Sequence, residues 1–134
     1  MLDPGIGEIT DRLTILSLKI LFGRERQKDV THFEKEQTSL LSKVRSRTLN
    51  GVWFAQVLDL GAVNAALWHA EDELREFRKQ YLNDQTEISA GEATKNWIAV
   101  GRLGFRIQDL NDRRAELVAR INKDAGEGSG EEKL

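Results

Sequence analysis

Residues 53–81, WFAQVLDLGAVNAALWHAEDELREFRKQY, decide the fold. Within this run Trp53, Val57, Leu60, Val63, Leu67, Ala70, Leu74, Phe77 and Tyr81 recur at steps of three and four. That spacing lines one side of an α-helix, and no strand-like alternation of period two competes with it. A helix over 53–81 would be roughly 42 Å long at 1.5 Å per residue.

The same period extends outward in both directions. Val100, Leu103, Ile107, Leu110, Leu117, Val118 and Ile121 predict a second long helix over about 91–123, opened by Ser89 and Glu92 at capping-box spacing. Inside it Gly101 and Gly104 each lower helicity by roughly 1 kcal/mol relative to Ala, so both are expected at a close helix contact. Upstream, Thr31 and Glu34 repeat the capping-box spacing and start a helix to about Arg47, with Phe33, Leu40, Leu41 and Val44 as its apolar stripe. Leu49-Asn50-Gly51 then turns the chain. The first helix carries Ile6, Ile9, Leu13, Leu16 and Ile20, with Gly23 as the expected C-cap. Its opposite side, Ile15, Leu18 and Phe22 in line with Asp11, is also apolar, which predicts a central helix or one that meets a second subunit. The fold class read from these patterns is all-α: a four-helix bundle, mostly antiparallel, with two long helices.

Composition agrees and limits the chemistry. The chain of 134 residues has a single Pro, at position 4, and suits one domain over 1–125. The Gly-rich end, 126–134, reads as a flexible acidic tail; three Glu against one Lys there carry the whole net charge of −2 and leave a neutral body. A neutral body predicts no nucleic-acid partner. With no Cys, disulfides and thiolate metal sites are excluded, and two His are too few for a multi-His site, so no metal or other cofactor is assigned. The N-terminal residues lack a signal-peptide pattern, and no run approaches ~18 apolar residues, so the expected location is cytoplasmic with no membrane partner. Nucleophile-elbow, P-loop and zinc-protease motifs are missing.

Several polar residues fall inside apolar arcs on the helical wheel. Asn64 and Glu71 share the arc of Leu60, Val63 and Leu74, while Asn111 and Arg114 share that of Ile107. A buried Arg needs a partner, because an isolated charge in a core costs several kcal/mol or more. Glu71 is the expected partner of Arg114, completed by Asn64 and Asn111, with Asp72 on the border and Asp11 on the first helix nearby. Two roles fit this cluster. One is a buried ion pair that sets helix register; the other is a ligand site in which Arg114 holds a small anionic, phosphate-bearing molecule.

Three stretches carry a resemblance. Asp11-Arg12-Leu13-Thr14-Ile15 within 7–20, Trp68-His69-Ala70-Glu71-Asp72 within 64–72, and Asn111-Asp112-Arg113-Arg114 within 109–114 resemble small all-helical bacterial domains of unknown function that carry D-[RK]-L-[TS]-I, W-[HD]-x-E-D and N-x-x-R motifs. The resemblance spans about 7–122, without 24–62 and 82–96. It implies that Asp11, Glu71, Asp72, Asn111 and Arg114 belong together and a setting in cell-surface glycan assembly, but no reaction.

Two other classes have visible features. A Mg²⁺-dependent nucleotide pyrophosphohydrolase would use carboxylates three apart on a helix, and Glu8/Asp11, Glu73/Glu76 and Asp109/Asp112 have that spacing. The last two pairs lie away from the apolar seams, and 22 acidic residues make such pairs common. Lys95, Arg102, Arg106, Arg113 and Arg120 form a basic stripe, which Asp109 and Glu116 are expected to neutralise through i, i+4 pairs with Arg113 and Arg120. His69 lies opposite its helix's apolar seam and is predicted exposed or at a subunit contact. The reading is a structural or ligand-binding bundle rather than an enzyme, with a homodimer and a role as a protein–protein interaction module also expected.

Overall fold

The computed structural model describes residues 4–83 and 89–126, the side chains of 81–83 excepted. Four helices follow one another: α1 (Ile6–Glu25), α2 (Thr31–Arg45), α3 (Gly51–Asn83) and α4 (Ala90–Asp124). No strand occurs among the described residues, so the all-α four-helix architecture stands as predicted. The connection around 84–88 and the tail expected at 126–134 lie, but for Gly126, outside the described residues.

Helix boundaries follow local chemistry, with two departures from the expected caps. Ser89 caps α4 as its spacing predicts, its hydroxyl accepting from the Glu92 N–H at 3.1 Å. Asn50 does the same for α3, its side-chain oxygen accepting from Trp53 N at 3.2 Å. Thr31, however, is the first residue of α2 and not its cap; Val30 takes that position, and the Asp29 carboxylate accepts from both Thr31 N and Thr31 Oγ1. Glu34 is instead drawn to Arg24. Nor does Gly23 end α1, which runs two residues further. A Cβ at position 23 would lie 2.5 Å from Val30 Cγ1, so this glycine makes room for the chain returning into α2. The termination itself has the double hydrogen bond of a Schellman motif, Lys28 N to Gly23 O and Gln27 N to Arg24 O, with Gln27 in the left-handed region at φ 56°.

Both apolar sides of α1 are used because α1 is the hub. It packs against α2, α3 and α4, whereas α2 packs on α1 alone. The core cluster joins Ile6 and Ile9 of α1 to Leu60, Val63 and Leu67 of α3 and to Leu117 and Ile121 of α4. Full burial of each such side chain stabilises by roughly 1.5–3 kcal/mol. Cross-links define the directions. Gln56 donates to Asp124 at 2.7 Å, which makes α3 and α4 antiparallel. Trp53 meets Thr10, and Phe22 stacks on Trp68, which makes α1 and α3 parallel. Since α1 has 20 residues and α3 has 33, and Arg26 just past α1 already reaches Asp72, the α3–α4 pair continues beyond α1 for roughly 15 Å.

Candidate functional site

The buried polar cluster exists, but Arg114 has a different partner from the one expected. Arg114 is bound by Asp11 of α1: Nε donates to Oδ1 at 2.9 Å and to Oδ2 at 3.1 Å, and Nη2 donates to Oδ2 at 2.5 Å. This fork geometry is the strong, bidentate form of the pair. Asn64 of α3 donates to Asp11 Oδ1 at 2.9 Å and to Thr14 Oγ1 at 2.7 Å, so three helices are joined at one carboxylate. Asp11 raises the pKa of Arg114 through that hydrogen bond, burial acts in the opposite sense, and the charges of Asp11 and Glu71 add to the rise.

Four of the six predicted site residues take other places or smaller roles. Glu71 is exposed and influences Arg114 only through space, because the α1 side chain reaches the guanidinium first. Asn111 is also exposed. Asp72 is half-buried near the C-terminal end of α1, where it pairs with Arg75 and, at 3.8 Å, with Arg26. The hydrogen bond from Arg75 holds its carboxyl below the ordinary value against the effect of burial. Asn64 is buried with Asp11, as expected, but serves that carboxylate rather than Arg114. In this arrangement the carboxylate-binding edge of Arg114 is filled from within the chain. The cluster therefore has the chemistry of a register lock, in which the Asp11 carboxylate is answered from both α3 and α4.

Glu8 and Asp11, spaced as metal-binding carboxylates, are engaged separately. Glu8 accepts from Asn122 Nδ2 at 3.0 Å, while Asp11 accepts from Arg114. Among the described residues no three acidic or histidine side chains gather at a site that could hold a metal ion. Asn122 is a functional link that periodicity does not reveal. Its Oδ1 accepts from Gly7 N at 2.7 Å, capping the start of α1 from α4 where Gly5 supplies no side chain. The close approach requires Gly7, since a Cβ there would lie 2.4 Å from the Val118 carbonyl oxygen.

The second feature of the molecule is the outer face of α4. Trp97, Ile98 and Phe105 are 66%, 50% and 72% exposed. Gly101 and Gly104 lie among them, also exposed, and a Cβ at either would meet nothing within 4 Å. The close contact expected at these glycines is therefore not made by any of the described residues. Nor do the expected surface pairs form: among the described residues Asp109, Arg113, Glu116 and Arg120 make no ion pair, and the same holds for Lys95, Arg102, Arg106 and Asp112. His69 is exposed, as predicted, and presents its ring edge-on to Phe22.

Compared with family models, curated proteins and solved structures, the chain matches none. No described helix is long and apolar enough to cross a membrane.

Proposed function

We propose that this protein is a helical assembly module that forms a homodimer through the outer face of α4. The observation that carries the reading is the exposed group Ile98, Gly101, Gly104 and Phe105. Exposed large apolar side chains gathered on one surface mark interaction sites, and a glycine in a helix interior costs roughly 0.5–1 kcal/mol unless something approaches it closely. Among the described residues nothing approaches these two, and a second helix is the occupant that fits the notch.

The occupant is a second copy because the face is complementary to itself. It carries both bulky side chains and the gaps that accept them, as an isologous contact requires. The Asp11–Arg114–Asn64 network holds α1, α3 and α4 in register, and an anionic ligand seeking the Nε–Nη2 edge of Arg114 would have to displace Asp11.

Sedimentation velocity across a concentration series tests the proposal. The wild-type chain should sediment as a dimer at tens of micromolar, Phe105→Glu as a monomer with unchanged far-UV circular dichroism, and Leu58→Glu, an exposed position on α3, as the wild type. A monomeric wild type, or dissociation by Leu58→Glu and not by Phe105→Glu, would sink it.

A further inference from the structure

A cleft beside the C-terminal end of α1 has the makings of a binding site. It lies where α1, the 26–30 connection, the start of α2 and α3 converge, and holds about 350 Å³, within the range of small-molecule sites. Its residues divide by chemistry. Lys19, Arg26 and Lys28 supply positive charge, and Phe22, Phe33 and Trp68 supply flat apolar walls. Phe22 and Trp68 are stacked with ring centroids 5.1 Å apart, and Lys19 Nζ lies 5.2 Å from the Phe33 centroid.

The cations are weakly answered from within the chain. Asp29, the one carboxylate lining the cleft, already accepts two hydrogen bonds from Thr31. Arg26 reaches Asp72 only at 3.8 Å, and Asp72 is shared with Arg75. Lys19 rests over a ring and feels the charge of Glu36, a carboxylate that Arg12 already binds, and Lys28 has no acidic partner among the described residues. Trp68 lines the cleft with its ring, its indole N–H being shielded from solvent and without an acceptor among the described residues. Three cations and three aromatic rings lining one cleft point to a ligand that brings an anionic group and a flat apolar body.

We infer that this cleft binds a small organic anion with a flat apolar body, such as an aryl phosphate or aryl carboxylate. The ring lies against Phe22, Phe33 and Trp68, and the anionic group faces Lys19, Arg26 and Lys28. Neither half suffices, because a bare anion leaves the aromatic walls wet and a neutral ring leaves the cations unanswered.

Titration calorimetry of the full chain with 2-naphthyl phosphate tests this, with inorganic phosphate and 2-naphthol in parallel. Heteronuclear NMR of the three indole N–H groups, Trp68 being assigned with Trp68→Phe, locates the contact. The expected result is saturable binding of naphthyl phosphate at least tenfold tighter than either half-molecule, with a shift of the Trp68 indole signal larger than those of Trp53 and Trp97. Lys19→Gln and the exposed Lys28→Gln should each weaken binding about threefold or more while leaving circular dichroism unchanged. Equal affinity for phosphate or naphthol, a perturbation centred on Trp97 or Trp53, or indifference to both lysine substitutions would overturn the assignment.

Discussion

Arg114→Met removes the guanidinium from Asp11 and leaves that carboxylate with a single donor, Asn64 Nδ2. The Asp11 side chain is only 13% exposed, so its charge stays largely out of water after the substitution. Breaking a fully buried pair in this way costs about 3–5 kcal/mol. Arg114 itself is 35% exposed, which lets water into part of the gap, so the expected loss is about 2–3 kcal/mol. For a domain of this size, with a urea slope near 1.5–2 kcal/mol/M, the midpoint falls by roughly 1–2 M. Urea titration followed by far-UV circular dichroism, at one fixed protein concentration because dimerisation contributes, measures the shift. The double variant Asp11→Leu/Arg114→Met removes both charges and should recover to within about 1 kcal/mol of the wild type, a coupling of about 2 kcal/mol. Glu71→Ala should move stability by no more than about 0.5 kcal/mol. Refutation would be a loss below about 0.5 kcal/mol for Arg114→Met, an absent coupling with Asp11, or a Glu71→Ala effect as large as that of Arg114→Met.

Gly7→Ala drives a Cβ to 2.4 Å from the Val118 carbonyl, a backbone atom that cannot rotate away; a loss of about 2 kcal/mol or more in thermal or urea melts is expected. Gln27→Gly relieves the left-handed residue that ends α1 and should stabilise by about 0.5–1 kcal/mol in the same assay. The Glu36 carboxyl is held below its ordinary value by its hydrogen bonds from Arg12, at 2.6 and 2.8 Å. A depressed carboxyl contributes stability above its unfolded pKa and loses it as pH falls through the folded one, so the tie between α1 and α2 weakens below about pH 4.3. Glu36→Gln should flatten that part of the acid limb in stability measured from pH 6 down to pH 3.

How much of this was legible without coordinates depends on how far apart the interacting atoms are along the chain. The four helices, the Ser89 cap and the exposure of His69 follow from local rules, in which each decision involves residues within about one turn. That a polar cluster would contain Asp11, Asn64 and Arg114 was also readable, because a charged or amide side chain inside an apolar arc must be answered somewhere. Its pairing was not. Glu71 and Arg114 occupy matching arcs on neighbouring helices, but the wheel of one helix says nothing of its rotation against another, and Asp11 arrives from a third helix 103 residues away in sequence. The same limit hid Asn122, which looks like a half-polar residue near a helix end until α1 is placed against it. Local order in this protein is therefore a property of the sequence alone, set by period, proline and caps. Which charges meet, which glycines are needed for packing and which apolar face remains uncovered were decided only when α1 docked between the other three helices, since those outcomes depend on interhelical rotation and on which side chain reaches a shared partner first.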